Sequence, residues 1–103
     1  MKQQAKIYRG SSFFLTLEVY DVDGNKLEID VSGLTLIIVR PDGGRITYTS
    51  DFITMPDLSV RKLVTIPENA PTGTWRAIWK YVDEYGTPWI NVITFIVIHP
   101  VRD

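Results

Sequence analysis

The sequence predicts an all-β chain folded as an antiparallel β-sandwich of about seven or eight strands, and three observations carry that expectation. Apolar residues recur with a period of two, and no window of about 11 residues shows a 3.6-residue stripe. Reversal signals punctuate the chain: Asp23-Gly24, Pro41-Asp42-Gly43, Pro71-Thr72-Gly73 and Tyr85-Gly86. A hydrophobic share of 45% with 22% charged residues over 103 positions suits one small folded domain and argues against disorder or a coiled coil.

The elements follow in order. In residues 13–20 the odd positions Phe13, Leu15, Leu17 and Val19 face a core, leaving Thr16 and Glu18 to solvent. Residues 21–25 form a tight turn, because Asp-Gly tolerates the positive φ that hairpins require. A short edge segment covers residues 26–31. The strand at 34–40 is closed by Pro41-Asp42-Gly43-Gly44, where proline ends the ladder, and residues 46–49 are its hairpin partner. Residues 51–57 carry no clear pattern. A further strand at 58–66 ends at Pro67, a rigid loop fills 67–73, and strands at 74–82 and 89–98 flank a reversal at 83–86. One domain spans 1–103, with residues 1–5 and 101–103 expected to be loose.

What the chain lacks bounds its chemistry. No cysteine removes disulfides, thiolate chemistry and the usual structural zinc, and a single histidine leaves little for acid/base catalysis. The start, Met-Lys-Gln-Gln-Ala-Lys, has no apolar run behind it, so the expectation is a protein made in a cytoplasm without a secretory signal and without a membrane span. The net charge of −1 sets up no demand for nucleic acid or anionic lipid. It is uneven, however. Residues 21–60 hold seven acids against three bases, a local net of −4, while the first twenty residues sum to +2. Solvated acidic loops are one reading of this asymmetry, and complementary charge between neighbouring copies is the other.

Neither Asp21-Val22-Asp23-Gly24-Asn25 nor His99 makes a site. The turn has the first ligand spacings of a calcium loop, but Lys26 stands where glycine is needed and Ser32 where a bidentate glutamate is needed. His99 has no second histidine or triad partner, and no serine sits in a Gly-x-Ser-x-Gly elbow. No cofactor, metal or catalytic residue is expected. Trp75 and Trp79 read as core anchors, whereas Trp89, beside the Tyr85-Gly86 turn, is the candidate for exposure.

The most informative feature is apolar residues on both faces of three strands. Residues 89–98 place Ile90, Val92, Ile96 and Ile98 opposite the core-facing set, residues 74–82 place Ile78 there with Arg76 and Lys80, and residues 34–40 place Ile37 and Val39. A strand wet on one side should read apolar-in and polar-out. If these strands are neighbours, as Ig-type topology makes them, their outer face is an apolar patch. It is either covered within the chain, by residues 51–57 or the N-terminal arm, or it is an interface of Ile37, Val39, Arg76, Ile78, Lys80, Ile90, Val92, Ile96 and Ile98.

The motifs Tyr8-Arg9-Gly10, Asp21-x-Asp23-Gly24, Pro41-Asp42-Gly43, Ile66-Pro67, Pro71-x-Gly73-Thr74-Trp75, Trp79 and Phe95-x-Val97, which span almost the whole chain, resemble those of small Ig-like structural proteins of tailed phages and prophages. They are similar, more weakly, to macroglobulin-like domains. The phage resemblance implies an Ig-like sandwich without catalytic machinery and a role in the neck, tail or capsid surface of a virion. Self-association or contact with other virion proteins would be its mode of action, with a homo-oligomer expected. A Met start and an end just after the last strand suit a standalone subunit. The alternative is a monomeric binding module that recognises a glycan or protein through Trp89, Tyr85 and Asp23.

Overall fold

The structure, a computed structural model, describes residues 5–83 and 85–99. Ten strands form: β1 (Ala5–Tyr8), β2 (Ser12–Leu17), β3 (Val19–Tyr20), β4 (Lys26–Leu27), β5 (Leu34–Val39), β6 (Arg45–Tyr48), β7 (Ile53–Thr54), β8 (Val60–Thr65), β9 (Gly73–Val82) and β10 (Pro88–Ile98). They build a five-stranded sheet in the order β1-β10-β9-β5-β6, a three-stranded sheet in the order β2-β8-β7, and the two-stranded β3-β4 hairpin. The all-β sandwich expectation holds. The three strands with apolar residues on both faces are indeed neighbours, since β9 lies between β10 and β5.

Several details differ from the sequence reading. The described residues form ten strands, because β1 and β7 are short pieces held by their partners and the single strand expected at 13–20 divides at Glu18 into β2, which pairs with β8, and β3, which pairs with β4. Ala5 is not loose: it starts β1, which runs parallel to β10 with Ala5 opposite Phe95. Residues 1–4 and 101–103, otherwise expected to be loose, lie outside the described residues. A 3-10 turn at Val31–Gly33 interrupts the all-strand pattern, capped by the Asp30 side chain, which accepts from the Ser32 amide.

The core lies between the two larger sheets. Trp75, Ala77, Trp79 and Tyr81 of β9, Phe95 and Val97 of β10 and Leu34, Leu36 and Ile38 of β5 join Leu15 and Leu17 of β2 and Val60 and Val64 of β8 in one cluster. Phe95 is its hub, with ring centroids 5.3 Å from Phe13 and 6.0 Å from Trp75. Each such large side chain contributes roughly 1.5–3 kcal/mol on burial. The Trp75 indole N–H donates to the Pro71 carbonyl at 3.0 Å, which ties the 67–73 loop to the strand it precedes.

Four reversals use the same five-residue loop, at 21–25, 40–44, 55–59 and 83–87. In each, the first amide donates to the fifth carbonyl and the fourth amide donates back to the first carbonyl, at 2.8–3.1 Å. The hydrogen bonds are those of a hairpin loop closed by a left-handed residue. That fourth residue is Gly24, Gly43 or Gly86 in three loops but Leu58, at φ 72°, in the other. In every loop an aspartate accepts from the fifth amide: Asp21 from Asn25, Asp42 from Gly44, Asp57 from Ser59 and Asp83 from Thr87. Three of the acids behind the local charge of −4 are therefore turn formers.

These hydrogen bonds hold the carboxyls below the usual aspartate range. The leading causes are the Asn25 amide for Asp21, the Arg40 side chain for Asp42, the Ser59 hydroxyl for Asp57 and the Thr87 amide for Asp83. A depressed folded pKa gives stability that is complete above the unfolded value and is lost as pH falls through the folded one. Thermal midpoints should accordingly stay level from about pH 7 to about pH 5 and drop below about pH 4; a level profile to acid pH would contradict the shared role of these aspartates. Leu58→Gly should raise stability by about 1 kcal/mol in thermal unfolding, because the left-handed conformation penalises a side chain. Gly33→Ala should lower it by about 1–3 kcal/mol, since its Cβ would stand 2.4 Å from the Val82 carbonyl oxygen.

Candidate functional site

Register fixes the outer face of the five-stranded sheet. Ile37, Ile78 and Val92 lie in one row across β5, β9 and β10. Ile90, Ile96 and Ile98 extend it along β10. Ile90 and Val92 are 65% and 53% exposed, and Ile37, Ile78, Ile96 and Ile98 are half-buried. Val39 is a correction: it belongs to this face by alternation but is buried, and it stands in register between Arg45 and Arg76, residues whose long stems are able to shield an apolar neighbour. Residues 51–57 do not cover the patch, since β7 pairs with β8 in the other sheet, and β1 extends the sheet edgewise instead of crossing its face.

The charges on this face are of one sign. Lys6, Arg45, Arg76 and Lys80 project from it by register, and among the described residues no aspartate or glutamate occupies an outward position of its five strands. Among the described residues neither Arg76 nor Lys80 has an ion-pair partner.

The opposite face of the same hairpin carries a second feature. Tyr81 and Trp89 are cross-strand partners that face inward near its end. Residues 27–31, Thr54 and the turn residues Asp83 and Tyr85 enclose with them a groove of about 590 Å³. A smaller cavity of about 130 Å³, lined by Tyr20, Trp79 and Asn91 among others, shares Tyr81 and Trp89. The Trp89 indole N–H donates to Asp83 Oδ2 at 3.2 Å, and the Tyr81 hydroxyl accepts from the Asp30 amide at 3.0 Å, so both rings are held in place. Glu28, Asp30 and Asp83 line the groove, and among the described residues no lysine or arginine does. Asp30 is drawn down by the Ser32 hydroxyl and amide. Glu28 is exposed and has no hydrogen-bond or ion-pair partner among the described residues.

Of the alternative binding residues, the structure brings Trp89 and Tyr85 together on this groove. Asp23 is not with them. It is exposed at the tip of the β3-β4 hairpin, a separate two-stranded unit, and lines neither cavity. Trp75 and Trp79 are core anchors, each 1% exposed. Sequence reasoning missed Tyr81, Glu28 and Asp30, because their convergence depends on a crossing between residues far apart in the chain. His99 is exposed, with Nδ1 3.4 Å from an Arg9 guanidinium nitrogen. The hydroxyls of Ser32 and Ser59 serve the aspartates two residues before them.

Acrylamide should therefore quench one tryptophan component out of three, and Trp89→Phe should remove it while the thermal midpoint shifts by less than about 5 °C. Quenching that persists in Trp89→Phe would contradict the placement of Trp75 and Trp79.

No protein-family model and no curated protein matches this chain. It is similar to a solved structure from Bacteroides vulgatus described as a "putative glycoside hydrolase", with 17% identity and a TM-score of 0.56. That match covers 96% of this chain and 17% of the other, so the chain has the fold of one segment of a much larger protein.

Proposed function

We propose that this chain is a non-enzymatic structural or assembly protein that works by packing the outer face of its five-stranded sheet against another protein surface, in the neck, tail or capsid surface of a phage or prophage virion. The observation that carries the reading is the row Ile37-Ile78-Val92, continued by Ile90, Ile96 and Ile98, on a face that no described segment crosses. Monomers seldom leave a contiguous apolar patch of more than a few hundred Å² in water. Arg76 and Lys80, either side of Ile78 on β9 and without ion-pair partners among the described residues, suit a surface that selects its partner by charge. The virion setting is supported by the motif resemblance, and production in the host cytoplasm is part of the same proposal.

A second reading is favoured by the groove at Trp89 and Tyr85: a monomeric module that binds a glycan or protein at its loop end. The description of the structural neighbour as a glycoside hydrolase is in keeping with a sugar as that ligand.

Sedimentation velocity tests the first reading. Val92→Glu and Ile96→Lys should each turn an assembled protein into a folded monomer, with at least about tenfold weaker association. Unchanged assembly in Val92→Glu, or a chain unfolded by it, would remove the basis for the interface. Glycan binding by a monomeric wild type, lost in Trp89→Ala, would favour the second reading.

A further inference from the structure

We infer that the groove beside Trp89 receives the cationic outer sheet face of a second copy, so that copies associate head to tail. This rests on the assembly reading above and supplies the partner for the face.

The charges of the chain are segregated in a way that a twofold pairing of outer faces would not use. Arg76 and Lys80, with Lys6 and Arg45, give that face cations and, among the described residues, no outward carboxylate. Packing two such faces together would desolvate like charges against one another. The groove has the complementary set: Glu28, Asp30 and Asp83 with, among the described residues, no lining cation. Glu28 has no partner among the described residues and is free to take one. Trp89 and Tyr85 add aromatic faces on which a guanidinium or ammonium is attracted by the ring quadrupole.

Geometry favours the same arrangement. Lys80 and Ile90 point outward where their immediate neighbours Tyr81 and Trp89 point inward, so the cationic surface and the acidic groove are back to back on one hairpin. A twofold axis would use one of these surfaces twice and leave the other unused. A head-to-tail operation uses both, once per copy, and produces a ring if its rotation closes or a filament if it does not. Arg76 and Lys80 stand about 13 Å apart along β9, either side of Ile78, and so span both charge and apolar contacts.

Complementary charge reversals test this on the full chain. Arg76→Glu with Lys80→Glu alters only the face, and Glu28→Lys with Tyr85→Ala alters only the groove; all four positions are exposed, and near-ultraviolet circular dichroism of the buried Trp75 and Trp79 checks that each variant folds. Each double variant alone should sediment as a monomer, with association at least about tenfold weaker than wild type, and the two mixed at equal concentration should regain assembly. Wild-type association should also weaken as salt rises from about 50 mM to about 500 mM. A groove variant that assembles like wild type, while Val92→Glu does not, would overturn the head-to-tail arrangement and leave the outer face as the interface. Wild type that is monomeric at every concentration would overturn it as well, and glycan binding lost in Tyr85→Ala would then assign the groove to sugar.

Discussion

A sheet with two apolar faces needs two covers, and the described residues of this chain supply one. The inner face of the five-stranded sheet is closed by β2 and β8, which put Leu15, Leu17, Val60 and Val64 against Trp75, Trp79 and Phe95. Among the described residues the outer face meets no comparable layer, although β5, β9 and β10 carry isoleucines and valines on it. Ile37, Ile78 and Val92 are in register across three strands, so the patch is contiguous and not a scatter of single exposed residues. The proposal of assembly follows from that mismatch between the sheets, and the disposition of charge follows it in turn: cations border the uncovered face while carboxylates gather around the groove behind it.

The reversals show how the small domain holds its shape while presenting that face. One loop geometry recurs four times, and each time an aspartate accepts the amide that the turn leaves over. An acidic stretch thereby acts through hydrogen bonds as well as charge. The loop at 83–87 has an additional part, because Asp83 accepts the Trp89 indole N–H as well as the turn amides. The same carboxylate that closes the β9-β10 hairpin positions the ring that forms one wall of the groove, so turn and candidate site share a cause.

The parts legible in the sequence are those with local causes. Alternation over 13–19 and 34–38 placed Leu15, Leu17, Leu36 and Ile38 in the core, and glycine after aspartate at Gly24 and Gly43, and after Tyr85 at Gly86, revealed three of the loops. The fourth loop was hidden because Leu58 occupies the glycine position, and with it went β7. The parallel strand β1 left no local trace, since its partner in β10 lies some ninety positions away along the chain. Trp89 and Tyr85 were visible as neighbours of a turn, but Tyr81 looked like an ordinary core residue, and Glu28 and Asp30 reach the groove only through the crossing of residues 27–31. Asp23 misled because nearness to a Gly turn does not bring a side chain into the groove: Leu27 and Glu28, beyond the turn, line it and Asp23 does not. Val39 obeyed the alternation and was still buried, which parity alone cannot reveal.

The central claim is that the outer face is covered by protein in the working state of the molecule. Solvent paramagnetic relaxation of methyl signals tests it directly, with the fully exposed Val22 as an internal reference. The account predicts that the Ile37, Ile78 and Val92 methyls are shielded relative to Val22 at high protein concentration and become accessible on dilution. Methyls that stay equally accessible at every concentration would contradict it.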